Sequence, residues 1–264
     1  MIKLIWDKEN RIKLAIGVVT ILVLVFAGYG FCNASSSKNN SSSDTVSKNA
    51  VSDKKIKKAE ILKEYRDLQQ KNKDLAGWLS IENTHVDYPV MQTLQDEEYY
   101  LRRDFYGNDN EEGCLIMDTD SVIGTGTSES HYQNGTKPGT NLIIHGHNMK
   151  NGSMFGELEL YADQVYGLQH ANISFDSLYE HRKYEIISVF YAQVLEKDST
   201  EFKYYDFFEA ENQEEFDHYY QNIMELSLYE TGVEAEYGDE FLTLSTCSYQ
   251  EENGRFVVIA KRVE

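Results

Sequence analysis

The chain has 264 residues, 41% hydrophobic and 12% aromatic, enough to bury one sizeable core, and it carries 44 acidic against 25 basic side chains for a net charge of -19. A surface of that sign repels phosphate backbones and argues against a nucleic-acid partner. Three scattered cysteines, Cys32, Cys114 and Cys247, form no Cys-x-x-Cys pair, which excludes a disulfide-stapled scaffold and leaves only single-thiol chemistry.

Charge is distributed unevenly. Residues 1–60 hold 10 basic and 5 acidic side chains, leaving 15 basic and 39 acidic beyond them. Residues 1–13 form a basic segment with Lys3, Lys8, Arg11 and Lys13. From Leu14 to Cys32, 19 residues run without a charge, close to the roughly 20 that a helix needs to cross a bilayer core. The basic flank keeps the N-terminus in the cytoplasm by the positive-inside rule, so residues 14–32 read as a membrane anchor and all that follows as extracytoplasmic. A cleaved secretory signal is the rival reading, although its apolar stretch is usually only about 7–15 residues. Phe31 is too bulky for a lipoprotein processing site before Cys32.

Residues 33–52 are rich in Ser and Asn and hold too little apolar surface to fold, so they read as a linker. The remaining segment, 53–264, is one extracytoplasmic catalytic-size domain. A helix is expected from near Asp53, with Ile61, Leu62, Tyr65 and Leu68 at helical spacing. Its lysines, Lys54, Lys55, Lys57 and Lys58, make a solvated face.

From Gly77 onward the pattern is mainly β, with added helices. Short β-rich runs recur at 78–81, 86–91, 114–118, 141–145, 173–175, 184–195, 241–246 and 256–263, bounded by turn residues. That number of strands fits a closed barrel or a sandwich. One long helix interrupts them, since Phe216, Tyr219 or Tyr220, Ile223 and Leu226 keep a 3.6-residue period after an Asn212-x-x-Glu215 capping signal. The stretch 121–140, rich in Gly, Ser and Thr, reads as a mobile surface loop.

Three segments carry candidate chemistry. In TLSTC, residues 243–247, an apolar strand ends on the thiol of Cys247. A lone cysteine is more often a buried structural residue than a nucleophile. In NLIIHGHNMKNGSMF, residues 141–155, a strand runs into a turn bearing His145 and His147, where an imidazole can transfer protons. The His-x-His spacing also admits a metal site, but no further ligands complete one, so neither metal nor cofactor is expected. Arg255 opens the last strand eight residues after Cys247, and it reaches the thiol if the two strands are neighbours. Its bland alternative is a strand-edge arginine in a rim ion pair. Together, an imidazolium and a guanidinium favour the thiolate, and the guanidinium steadies a carbonyl oxygen that gains charge. The matching reaction class is acyl transfer through a thioester. The order His, Cys, Arg speaks against a papain-like protease, in which the cysteine comes first.

These residues resemble the class B sortases of Gram-positive bacteria over most of residues 72–263. TLSTC with its following arginine is similar to the family's Leu-x-Thr-Cys and Arg signature, and GHNMKNGSMF is similar to the segment around the class B catalytic histidine. DLAGWLSIENTHVDYPVMQ at 74–92, YYLRRDFYG at 99–107, GCLIMD at 113–118 and the helix between Asn212 and Ser227 resemble class B in the same order. The resemblance implies an eight-stranded barrel with an N-terminal helix and a long helix before the cysteine strand. It also implies a transpeptidase that cuts a C-terminal sorting motif of surface proteins after Thr, and joins the Thr to an amine of peptidoglycan or its lipid-linked precursor. By the same resemblance His147 is the catalytic histidine, His145 stands where many relatives carry Tyr, and Cys114 is an inert barrel thiol. Three other readings stay open: a surface binding module with a structural Cys247, a cell-wall cysteine peptidase or amidase, and a pilin-polymerising sortase.

Overall fold

The computed structural model describes residues 59–125, 136–250 and 252–264. The expected anchor, 14–32, and the linker, 33–52, lie outside them, as do residues 53–58. Among the described residues no helix is long and apolar enough to cross a membrane.

Eight strands close a barrel: β1 (Leu75–Ile81), β2 (Asp87–Met91), β3 (Leu115–Met117), β4 (Asn141–Gly146), β5 (Asn172–Ser177), β6 (Lys183–Gln193), β7 (Phe241–Cys247) and β8 (Gly254–Arg262). The order around the barrel is β1-β2-β3-β4-β7-β8-β6-β5, and β5 pairs with β1 to leave no edge. Two neighbours, β2 with β3 and β4 with β7, run parallel, and the other pairs are antiparallel.

Strand alternation sorts side chains between two faces. Leu142, Ile144, Leu242, Leu244, Phe256 and Val258 point into the barrel and are buried there. The opposite parity, Phe241 on β7 with Val257 and Ile259 on β8, faces outward and is covered by the long helix. That helix, α3 (Gln213–Leu226), is preceded by α1 (Arg66–Lys71) and α2 (Gln164–Gln169). Its N-terminus closes as the sequence requires: Asn212 Oδ1 accepts from the Glu215 amide at 3.0 Å, and the Glu215 carboxylate accepts from the Glu211 amide at 3.0 Å. Phe216, Tyr219 and Ile223 form its buried stripe, whereas Leu226, expected to extend it, is exposed. Truncating the wholly buried Phe216 to alanine would cost about 3–5 kcal/mol.

The N-terminal helix departs from expectation. Residues 59–62 are not helical, a 3-10 turn occupies Lys63–Tyr65, and α1 runs only from Arg66. The expected apolar stripe survives as a docking surface, because Ile61, Leu62, Tyr65 and Leu68 all pack against the cluster of Leu75, Met91 and Ile116 outside the barrel. The Leu62 amide donates to the Leu178 carbonyl at 2.8 Å, and Tyr65 donates to Asp176 at 2.6 Å. These tertiary bonds hold the chain extended where local periodicity favours helix.

The loop expected at 121–140 is not wholly on the surface. Ser121 and Thr140 are buried, and the pairs Gly139 N with Val122 O and Thr125 N with Thr136 O join its two limbs. Its tip, 126–135, lies outside the described residues.

Candidate active site

The topology puts the three candidate residues on adjacent strands at one end of the barrel. β7 lies between β4 and β8. Cys247, the last residue of β7, is the register partner of Arg255 on β8. On the other side, the parallel β4–β7 ladder ends at Gly146 opposite Thr246, so His147 leaves the sheet one residue beyond, level with Cys247. All three have the outward parity of Phe241 and Val257, and each is half-buried.

Each is fixed by its neighbours. Gly146 is required before His147, since a Cβ there would come within 2.6 Å of both Leu115 and Phe155. His147 Nε2 lies 2.8 Å from the Leu101 carbonyl oxygen. A carbonyl only accepts, so Nε2 carries the hydrogen and Nδ1 is the ring nitrogen left to exchange a proton. Leu101 belongs to a turn-rich excursion between β2 and β3 that is itself tied down, with Cys114 N donating to Tyr100 O and Asn72 Nδ2 donating to Phe105 O. The turn after His147 is closed by Phe155 N donating to His147 O at 2.9 Å.

Arg255 follows a tight return from β7. Asn253 adopts φ 57, the left-handed region that Asn tolerates better than most residues, and Ser248 N donates to Gly254 O. The guanidinium NH1 donates to the Gly254 carbonyl at 3.0 Å. Beneath it, the wholly buried Tyr204 shares a 2.8 Å hydrogen bond with Ser245 Oγ. Burial pushes the Tyr204 hydroxyl up to about 12, against opposing pulls from Ser245 and Arg255, while Cys247 adds to the rise. Tyr204 therefore lies within electrostatic reach of both Arg255 and Cys247.

The other thiol and the other histidine sit apart from this group. Cys114 is buried in the cluster under α1, and burial, with help from Asp104, pushes its pKa up to about 12. His145 pairs with Asp118 at 3.4 Å. The two histidines thus turn to different partners, and among the described residues no group of three or more His, Cys, Asp or Glu side chains is placed to hold a metal. The sequence reading did not find Leu101, Tyr204, Ser245 or Asn148, whose side chain reaches the Cys247 carbonyl.

The family model for the Sortase domain matches residues 79–263. The chain belongs to the sortase family. Its likeness is to class B: it is 34% identical to sortase B of Listeria monocytogenes over 77% of this chain and 76% of that protein. A Bacillus anthracis sortase B structure, solved in complex with AAEK2, superposes with a TM-score of 0.65 at 31% identity, covering 79% of this chain and 86% of that one. A Staphylococcus aureus sortase B–substrate complex gives 0.64 at 25% identity, covering 78% and 87%. As a class B sortase the chain is a cysteine transpeptidase on an eight-stranded barrel.

Proposed function

We propose that this sortase cleaves a C-terminal sorting motif of surface proteins after Thr and transfers the threonyl group to an amine of peptidoglycan or its lipid-linked precursor. The observation that carries this is the register: Cys247 is flanked on one strand by Arg255 and on the other by the turn of His147. The Cys247 thiolate attacks the Thr carbonyl carbon, and Arg255 stabilises the oxygen as it becomes negative. The C–N bond breaks, and the departing amine takes a proton from Nδ1 of the protonated His147. An incoming amine then attacks the thioester, returns a proton to His147, and releases the Cys247 thiolate with a new amide bond. A guanidinium has five N–H donors, and the Gly254 contact uses only one of its nitrogens, which supports a role at the oxyanion. The S. aureus sortase B solved in complex with a substrate supports substrate binding by this chain too.

Residues 14–32 anchor the enzyme, with 1–13 in the cytoplasm and the catalytic domain, 53–264, outside the membrane. The uncharged run and its basic flank support this orientation. Mixing the full chain with sorting-motif peptides, with and without an added amine, tests the chemistry. Transfer product should appear with the amine, and cleavage unaffected by any amine would mean hydrolysis instead. Protease added to wall-stripped cells should digest the domain and spare residues 1–13. A mature chain starting near residue 35 would overturn the anchor.

A further inference from the structure

The parallel ladder between β4 and β7 stops at Gly146 and Thr246. It has to stop there, because β4 must leave the sheet for the next residue, His147, to stand beside Cys247 instead of continuing a strand. That departure takes away the main-chain neighbour of the Cys247 carbonyl at the point where the nucleophile most needs a fixed backbone. The structure fills the gap with a side chain. Asn148 Nδ2 donates to the Cys247 carbonyl oxygen at 2.8 Å, across 99 positions of sequence. One residue earlier, Thr246 Oγ1 donates to the Gly146 carbonyl at 2.8 Å, so the two strands are joined by side chains where the main-chain ladder ends.

Asn148 is itself held from several directions. Its backbone pairs with Met154 in an isolated bridge, next to the bond from Phe155 N to His147 O. The Tyr249 hydroxyl, two residues beyond Cys247, lies 3.5 Å from the Asn148 carbonyl. The residue bonded covalently to His147 therefore grips the backbone of Cys247, and the spacing of imidazole and thiol is set through one short contact.

We propose that Asn148 is a positioning residue for thioacyl transfer, its side-chain amide extending the β4–β7 pairing past Gly146 to keep Cys247 in register with His147. This rests on the transpeptidase reading above. An amide suits the task because it donates without charge: aspartate of the same shape presents only acceptors to the carbonyl, and leucine presents nothing. A misplacement of about 1 Å between reacting groups can cost on the order of 100-fold in rate. The effect belongs in kcat, since Asn148 acts through Cys247 and His147 and not on substrate.

The test compares full-length wild type with Asn148→Asp and Asn148→Leu. Three measurements are taken: sorting-peptide turnover, melting temperature, and the pH dependence of Cys247 alkylation read by mass spectrometry. Both variants should lose about 10-fold to 100-fold in kcat with KM within about threefold, and their alkylation midpoint should shift from the wild-type value. Unchanged kcat in either variant overturns the proposal. So does a loss of kcat that tracks early melting while the alkylation midpoint stays at the wild-type value. Alkylation needs no turnover, so a wild type inactive on every peptide would sink the transpeptidase reading and leave the midpoint shift to decide the role of Asn148.

Discussion

Cys247 and Arg255 are direct partners in the antiparallel β7–β8 pair, seven intervening residues apart in sequence and side by side on the outer face of the barrel. Antiparallel partners share a face, so the guanidinium and the thiol necessarily point to the same side of the sheet. A slip of one residue in this register would turn one of them into the apolar interior occupied by Phe256 and Leu244. The return of the chain, with Asn253 in the left-handed region and Ser248 N bonded to Gly254 O, pins that register.

Only one described thiol is placed for acyl transfer. Cys247→Ala should abolish both cleavage and transfer, while Cys114→Ala should keep turnover within about threefold. With its pKa pushed up to about 12 by burial, Cys114 stays protonated at neutral pH and should resist alkylation under conditions that label Cys247. Peptide mapping after iodoacetamide treatment reads both outcomes at once. Cleavage by Cys247→Ala would remove the thioester from the mechanism.

The two histidines separate by partner. His147 is held by a main-chain carbonyl that orients its ring, whereas His145 faces the Asp118 carboxylate. Loss of a general acid or base costs on the order of 100-fold to 10,000-fold, so His147→Ala should be nearly inactive. His145→Ala should keep turnover within about threefold, since its ring is turned to the largely buried Asp118 carboxylate. Steady-state rates for the two variants decide it, and the reverse ranking would move the catalytic role to His145.

Strand content was readable because the β-rich runs are short and sharply bounded. The run at 241–246 became β7 (Phe241–Cys247), and 256–263 became β8 (Gly254–Arg262), each within two residues. The capping pair Asn212 and Glu215 marked the start of α3 for a physical reason that is local to four residues. Strand order was not readable from the residues, since which strands run parallel depends on crossovers with no local signature; the strand count left a barrel or a sandwich open, and the resemblance pointed to the barrel. Helix α2 escaped notice because Val165, Tyr166 and Gly167 are weak helix formers and its start depends on one cap, Asp163 accepting from Tyr166 N. At the site, the candidate side chains of Cys247, His147 and Arg255 stood at the ends of apolar runs and could be named. Leu101 could not, because it acts through a carbonyl that every residue has, whereas Asn148 carried a signal in its place beside His147.

Glu97 gives a pH test. Burial, reinforced by the Asp118 carboxylate, raises its pKa, while a hydrogen bond from Thr119 N opposes the rise. An acid whose folded pKa lies above its unfolded value of about 4.3 binds more protons when folded, so the charged form costs stability once the pH passes above that value. Glu97→Gln keeps the acceptor for Thr119 and removes the charge. It should raise the melting temperature at neutral pH, and the gain should shrink as the pH falls through the folded pKa and vanish below about pH 4. Melting curves of wild type and variant across that range check the sign. A gain that persists at low pH would assign the effect to packing.

Arg255 offers the sharpest distinction between two roles for one positive charge. If its guanidinium stabilises the oxyanion through an oriented donor, Arg255→Lys keeps the charge but loses the planar fork, and turnover should fall by roughly 100-fold or more with folding unchanged. If the charge instead acts only by favouring the Cys247 thiolate, lysine should restore most activity and alanine should not. The alkylation profile of Cys247 separates the cases, because the oxyanion role predicts a lysine variant whose thiol titrates as in wild type while its kcat is low. The held position of the guanidinium, with NH1 bonded to Gly254 O, favours the oriented donor, since a charge acting at a distance needs no such anchor. Near-native turnover by Arg255→Ala would remove Arg255 from the site and leave the β7–β8 register as packing alone.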